Sequence, residues 1–163
     1  MPAPRPRSLA QWIACGFGSG LFPVAPGTAG SLAALGLGVA MLWLAPPLLL
    51  AAAALATAGG FWAVRASGAQ HDPGWVVIDE FAGQWIALLP LLAAPLDPLS
   101  IGLAFLAFRL LDILKPGPIG WADRQPGAFG VMADDVIAGA LAAGIVWGTR
   151  QAWPAWFTTG GTG

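Results

Sequence analysis

The sequence predicts an all-α protein: a compact, membrane-embedded helical bundle with about five apolar helices and its charged loops on one face. Hydrophobic residues make up 57% of the chain and charged residues only 9%. From Ser8 to Val64 no side chain is charged, and the mean hydropathy is +0.72. Such a composition is typical of a chain surrounded by lipid. With 163 residues, we expect a single membrane domain over residues 1–163.

The expected helices follow in order from the apolar segments, at about Ala29–Ala45, Leu48–Val64, Phe81–Ala94, Leu99–Ile113 and Val136–Gly148. Pro46-Pro47 separates the first two segments and Pro95 to Pro98 separates the third and fourth, so both proline pairs predict hairpins. Several segments are shorter than the ~20 residues that cross a bilayer. A compact bundle that is only partly sunk in the membrane therefore remains open.

The charged loops are expected on one face of this bundle. If each segment crosses the membrane once, the loops Gly16–Ser31, Arg65–Asp79 and Lys115–Asp134 all emerge on the same side. Seven of the eight carboxylates then lie on that side, with Asp97 alone opposite. Most basic residues join them, so the positive-inside rule predicts that this face is cytoplasmic.

Charge and cysteine content exclude several classes of protein. The net charge of -1 and the lack of a basic run give no reason to expect nucleic acid as a partner. Glycines interrupt the apolar stretch after Arg5 and Arg7, so we expect no cleaved signal peptide. Cys15 is the only cysteine and His71 the only histidine, which leaves no intramolecular disulfide, no thiolate metal cage and no convincing serine triad.

A glycine-rich segment precedes the first long helix. Gly27, Thr28 and Ser31 stand at its expected start, where free backbone N–H groups and hydroxyls form a plausible anion site. The alternative is helix capping by Thr28 together with tight packing through the glycines. Spacing alone favours the alternative.

Two pairs of adjacent acids, Asp79-Glu80 and Asp134-Asp135, are expected to open the third and fifth helices on the same face. The helix dipole explains one such pair, at ~0.3–1 kcal/mol per acid. Two pairs on one face repel each other unless a cation lies between them. Oxygen ligands without a His or Cys cluster suit Mg²⁺ better than Zn²⁺. We therefore predict a Mg²⁺ site, with capping as the alternative.

Arg109, Asp112 and Lys115 recur in steps of three at the end of the fourth segment, which places them on one side of a helix. One explanation is an Arg109–Asp112 ion pair with a Lys115 that reaches toward the surface. The functional interpretation adds a phosphate bound by the two cations, with Asp112 as metal ligand or base.

Four motifs together resemble the phosphatidylglycerophosphatase A family. They occur in the family's order between about Gly16 and Gly144, at Gly16–Ser31, at His71-Asp72 with Val77–Trp85, at Phe108–Ile119, and at Asp123-Arg124 with Gly130–Gly139. One departure is Ala128 after Gly127, where the family tends to have a second glycine. It adds one methyl group to a loop and does not change the expected activity.

The resemblance implies a Mg²⁺-dependent phosphatase that converts phosphatidylglycerophosphate to phosphatidylglycerol on the cytoplasmic side of a bacterial inner membrane. Its expected partners are this phospholipid and the membrane. In this interpretation Asp79, Glu80, Asp134 and Asp135 bind one or two Mg²⁺, and Asp112 is catalytic together with Glu80. The residues expected to contact the phosphate or the rest of the substrate are Lys115, Arg109, Gly27, Thr28, Ser31, Arg124 and His71.

Two other functions stay open. One is a small membrane transporter or ion-coupled carrier, in which Arg109 and Asp112 mark a pathway. A carrier predicts essential charges near the middle of the membrane and an inverted repeat, whereas here the charges gather at one edge and the sequence shows no repeat. The other is a phosphatase or phosphotransferase that acts on a different lipid phosphate.

Overall fold

The computed structural model describes residues 5–69 and 73–157, and within them it contains seven α-helices and no strand. The α-helices are α1 (Leu9–Ala14), α2 (Pro26–Leu44), α3 (Pro46–Ser67), α4 (Ile78–Leu88), α5 (Pro98–Leu114), α6 (Pro118–Asp123) and α7 (Gly127–Ala152). Short 3-10 helices lie at Gly16–Leu21, Leu89–Ala93 and Pro154–Trp156. The predicted all-α fold is confirmed.

The five predicted segments correspond to α2, α3, α4 with the 3-10 turn that follows it, α5 and α7. The largest difference concerns α7, which begins at Gly127 instead of near Val136. Asp134 and Asp135 therefore lie two turns inside this helix and do not open it. The break in helical structure is at Pro126, whose extended backbone precedes the first turn. The uncharged residues that follow Pro126 simply continue the helix.

Proline marks the start of several helices. Its fixed φ suits the first turn, and its missing N–H is not needed there. The helices that begin in this way start at Pro26, Pro46, Pro98 and Pro118. In α5 the preceding Asp97 also caps the helix, because its Oδ1 accepts the Ser100 backbone N–H at 2.7 Å. These start signals explain why the predicted hairpins lie close to the observed helix ends.

α4 lies at the centre of the bundle and packs against α2, α3, α5 and α7. Its side chains Phe81 and Leu88 are buried in the core. The closest approach is to α7, where a Cβ on Gly139 would overlap the backbone of Gly83. Small residues at a crossing allow two helix backbones to come this close. The glycine pair thereby fixes how α4 and α7 are placed beside each other.

Among the described helices, α2, α3 and α7 are long and apolar enough to cross a membrane, with 19, 22 and 26 residues. Large apolar side chains such as Trp43, Leu55 and Trp147 are exposed on them, as expected of helices that face lipid. α4 has only 11 residues, a length of about 16 Å at 1.5 Å per residue. α4 by itself is therefore shorter than a ~30 Å hydrocarbon core, in keeping with the compact, partly sunk bundle that the sequence left open.

The two ends of the bundle differ in chemistry. The starts of α2, α4 and α7 meet the end of α5 at one end, which we call the charged end because it carries most of the carboxylates. At the opposite end Asp97 forms an ion pair with Arg150, whose guanidinium lies 5.1 Å from the centre of the Phe157 ring. The expected separation of Asp97 from the other acids agrees with this arrangement.

Candidate active site

The first turn of α4 brings two acids to the charged end. Asp79 is 6% exposed, and its Oδ1 accepts the Glu80 backbone N–H at 3.0 Å. The helix dipole favours acids at this position. Glu80 points toward α2, where its Oε1 occupies the space that a Cβ on Gly27 would fill. Glycine at position 27 therefore makes room for the Glu80 carboxylate.

Asp134 and Asp135 present two further acids from α7. They are 5% and 3% exposed, and the Asp135 backbone N–H donates to Asp134 Oδ1 at 2.9 Å. α4 and α7 both lead away from the charged end, and their backbones are in contact at Gly83 and Gly139. The residues one turn earlier on the two helices are Asp79 and Asp135, so the crossing brings these carboxylates together.

Among the described residues, five carboxylates form two overlapping sets of possible metal ligands, which we call the carboxylate cluster. One set contains Asp79, Glu80 and Asp135, and the other contains Asp112, Asp134 and Asp135. In each set, one oxygen per residue lies within 4.8 Å of the others. Because Asp135 belongs to both sets, the cluster is continuous. Donor sets made of oxygen alone suit a hard divalent cation such as Mg²⁺.

Arg109 of α5 connects three helices beside the carboxylate cluster. Its Nη1 donates to Asp112 Oδ2 at 2.6 Å and lies 3.9 Å from Glu80 Oε1. Its Nη2 donates to Thr28 Oγ1 at 3.4 Å. The Arg109–Asp112 ion pair considered from the sequence is therefore present, and the same guanidinium also contacts α2 and α4.

Lys115 follows α5 in a left-handed conformation, with φ of +46°. Its Nζ donates to Asp134 Oδ2 at 2.6 Å and also to Asp123 Oδ1. Burial acts to lower the pKa of Lys115, but the hydrogen bonds to Asp123 and Asp134 outweigh it and raise that pKa. Lys115 is therefore a stable cation at the edge of the carboxylate cluster.

In the part of the chain that the structure describes, negative charge exceeds positive charge in this region. The five carboxylates of the cluster have Arg109 and Lys115 as their basic neighbours. Closely spaced, buried carboxylates are costly unless further positive charge compensates them. Capping accounts for Asp79 and Glu80 alone, because α7 has no acid in its first turn. The donor set therefore fits a bound divalent metal ion.

The residues of the predicted anion-binding segment differ in their distance from the carboxylate cluster. Thr28, in the first turn of α2, accepts a hydrogen bond from Arg109, and no side chain caps this helix. Gly27 beside it borders the Glu80 carboxylate. Ser31 is fully buried one turn further on, and its hydroxyl donates to the Gly27 carbonyl at 2.9 Å. Gly27 and Thr28 thus border the carboxylate cluster, whereas Ser31 lies beneath it.

One of the residues expected at the substrate is not brought into this arrangement. Arg124 is exposed at the end of α6, and within the described chain it forms no ion pair with the cluster. His71 lies outside the described residues. Asp123, which we did not predict as a site residue, contacts Lys115 instead. Its sequence signals were its place in the third charged loop and the Asp123-Arg124 pair in the family-like motifs.

Known proteins resemble this chain over most of its length. A family model described as Phosphatidylglycerophosphatase A matches residues 12–150. The Phosphatidylglycerophosphatase A of Escherichia coli (strain K12) is 40% identical over 146 residues, which cover 87% of this chain and 84% of that protein. The protein of the same name from Haemophilus influenzae is 42% identical over 142 residues, covering 82% and 84%.

A third relative carries a different name. It is the Putative phosphatidylinositol-3-phosphatase of Bacteroides thetaiotaomicron, which is 43% identical over 145 residues and covers 83% of this chain and 89% of that protein. No solved structure matches the chain.

Proposed function

Since the chain belongs to the phosphatidylglycerophosphatase A family, we propose that it hydrolyses the terminal phosphomonoester of phosphatidylglycerophosphate, with Mg²⁺ as its cofactor. Family membership makes the chain a phosphatase of phospholipid synthesis, and its long apolar helices make it a membrane protein. We assign the reaction to the cytoplasmic side of a bacterial inner membrane, because the positive-inside rule favours that side for the loops of the charged end.

The carboxylate cluster is the observation that carries this proposal. Its two sets of oxygens, which share Asp135, offer ligands for one or two Mg²⁺. Bound metal supplies positive charge that stabilises the charge developing on a transferred phosphoryl group. The mixture of buried acids with Arg109 and Lys115 is suited to a highly charged phosphomonoester.

Arg109 and Lys115 bind the phosphoryl oxygens in this proposal. Arginine carries five N–H donors in a planar fork, and Asp112 and Thr28 hold the fork of Arg109 in place. The Lys115 ammonium has three donors and gives two of them to Asp123 and Asp134. Its third donor is therefore left for a phosphate oxygen.

Asp112 acts on the attacking water. Arg109 fixes the orientation of its carboxylate, which accepts a proton as the water oxygen bonds to phosphorus. The bond between phosphorus and the glycerol oxygen breaks, and the leaving oxygen takes up the proton that Asp112 removed. The products are phosphatidylglycerol and inorganic phosphate. Glu80, which contacts both α2 and the cluster, supports this step as a ligand.

A phosphoinositide is a second candidate substrate, because the Bacteroides relative is named a phosphatidylinositol-3-phosphatase. Both lipids carry a phosphomonoester on a polyol head group that a phosphodiester joins to diacylglycerol. The same acids and cations therefore suit either substrate. The carrier considered from the sequence has no support among these relatives, which are all named phosphatases.

Phosphate release by the purified full chain in detergent micelles tests the proposal. Phosphatidylglycerophosphate, phosphatidylinositol 3-phosphate and soluble glycerol phosphate are each supplied with Mg²⁺ or with EDTA. We expect release from phosphatidylglycerophosphate only with Mg²⁺, and slow release from glycerol phosphate. Release that persists in EDTA would remove the metal from the proposal. A preference for the phosphoinositide would change the substrate, and no release from either lipid would overturn the proposed reaction.

A further inference from the structure

Gln84 of α4 is a buried polar side chain that the protein does not satisfy. It is fully buried, and neither its amide oxygen nor its amide nitrogen has a hydrogen-bond partner among the described residues. Leaving a buried polar group unsatisfied costs about 1–3 kcal/mol. An apolar side chain of similar size would avoid this cost. Glutamine at this position therefore indicates a polar ligand that is not part of the protein.

The position of Gln84 on α4 shows where this ligand lies. Gln84 follows Glu80 by one turn, so both project from the same side of the helix. Glu80 Oε1 lies against Gly27 in the first turn of α2, and Leu88, one turn beyond Gln84, lies against Gly38 further along α2. Gln84 therefore faces α2 between these two contacts, one turn beneath the Glu80 carboxylate.

Ser31 supplies a second buried polar group at the same level of α2. It follows Gly27 by one turn and is fully buried, and its hydroxyl donates to the Gly27 carbonyl. A hydroxyl oxygen that donates can still accept. Ser31 and Gln84 together thus offer both donors and acceptors where α2 faces α4. Water has matching donors and acceptors, and a buried water typically makes about three hydrogen bonds.

We propose that Gln84 is a positioning residue for Glu80: together with Ser31 it binds buried water that hydrogen-bonds to the Glu80 carboxylate and fixes its orientation in the carboxylate cluster. The inference rests on the proposed function, in which Glu80 serves phosphate hydrolysis. Groups that orient a metal-binding carboxylate in this way commonly change metal affinity or activity by about 10–100-fold.

Two methionine variants separate positioning from packing. Gln84→Met removes the amide oxygen and the amide nitrogen but keeps nearly the same side-chain length. Leu88→Met is a matched control one turn further along the same side of α4. For Gln84→Met we expect little change in Tm, because the hydrogen bonds to the water are lost together with the cost of burying the amide. We expect kcat to fall about tenfold or more with little change in KM. Binding of Mn²⁺ alone, measured by electron paramagnetic resonance without lipid, should weaken by a similar factor. Leu88→Met should change neither kcat nor Mn²⁺ binding.

Ser31→Ala is an independent test of the proposed buried water, and it can be used even if Gln84→Met does not fold. It removes the second water contact, so kcat and Mn²⁺ affinity should fall in the same direction. The double variant should lose no more than the more affected single variant, because both side chains act on the same water. Normal kcat and normal Mn²⁺ affinity in the folded variants would overturn the positioning role. A wild-type chain that binds Mn²⁺ but releases no phosphate would instead contradict the proposed function, and the Mn²⁺ comparison would still test Gln84.

Discussion

Gly139 of α7 lies directly against Gly83 of α4, since a Cβ on Gly139 would come within 2.8 Å of the Gly83 Cα. One turn earlier on the same helices stand Asp135 and Asp79, which belong to one set of possible metal ligands. A contact between two backbones therefore sets the distance between the acids that α4 and α7 contribute to the carboxylate cluster.

Gly139→Ala is expected to push α4 and α7 apart, because the added methyl group meets backbone atoms of Gly83. Unlike a side chain, a backbone cannot move aside by changing its rotamer. We expect the free energy of unfolding to fall by about 1–3 kcal/mol and most phosphatase activity to be lost. The control is Gly144→Ala on the same helix, where a Cβ meets nothing within 4 Å. That variant should be stabilised by about 0.5–1 kcal/mol or remain unchanged. Thermal unfolding in detergent and phosphate release measure both effects, and equal behaviour of the two variants would contradict the prediction.

Gly27→Ala is expected to reduce activity with little effect on stability. The new Cβ would occupy the place of Glu80 Oε1, and a carboxylate at the end of a flexible side chain can turn away at small cost. Glu80 would then leave the cluster, and we expect kcat to fall about 10–100-fold with the Tm nearly constant. Gly36→Ala is the control on α2, since its Cβ meets nothing within 4 Å. Normal kinetics for Gly27→Ala would show that the place of Glu80 does not matter for catalysis.

Asp112→Asn is expected to abolish turnover while the protein remains folded. The amide keeps the size of the side chain but cannot take a proton from water and is a poorer metal ligand. A general base commonly contributes about 10²–10⁴-fold, so kcat should fall by at least the lower figure. Asp123→Asn is the comparison, because Asp123 contacts Lys115 from a more exposed position, at 41% of its side chain. We expect a smaller loss there. Near-normal activity of Asp112→Asn would remove its assigned role.

Asp97→Asn is expected to destabilise the protein only where Asp97 is ionised. Burial acts to raise the pKa of Asp97, but hydrogen bonds from Ser100 and Arg150 outweigh it and lower the pKa below its ordinary value of 3.8. The carboxylate therefore stabilises the fold above about pH 4, and this contribution disappears as the pH falls through the lowered pKa. At pH 7 we expect Asp97→Asn to cost about 1–3 kcal/mol and to leave activity unchanged, since Asp97 lies at the opposite end from the carboxylate cluster.

Unfolding of wild type and Asp97→Asn across a pH series checks this prediction. The difference in Tm should be largest near neutral pH and should vanish in strong acid. A difference that stays constant down to pH 2 would exclude ionisation of Asp97 as its origin.

The helices could be predicted because their signals are local. Apolar segments gave their approximate places, and prolines marked the starts of α3 and α5. The predicted start of α7 was wrong because the acids Asp134 and Asp135 were interpreted as the first turn of the helix. The helix in fact begins after Pro126. The crossing of Gly83 and Gly139 could not be predicted, since a chain with 23 glycines gives no local sign of which two will meet.

The candidate site shows the same limit. The Arg109–Asp112 ion pair joins residues three apart on one helix, so it could be predicted from the sequence. The contact of Arg109 with Thr28 spans 81 positions, and that of Lys115 with Asp134 depends on how α5 and α7 pack. Gln84 had a sequence signal of its own, because it is the only polar side chain in α4 after the two acids of the first turn.

A helix as short and acidic as α4 cannot be expected to enter a bilayer by itself. It has 11 residues with two acids in its first turn, which is well short of the ~20 predominantly apolar residues that cross a bilayer. During synthesis the apolar helices α2 and α3 can leave the translocon first. α4 is expected to enter the membrane only when other helices pack against its polar side chains. α7 supplies that cover and is made later than any other long helix described. A nascent chain halted before α7 should therefore leave α4 accessible to protease, and completion of α7 should protect it.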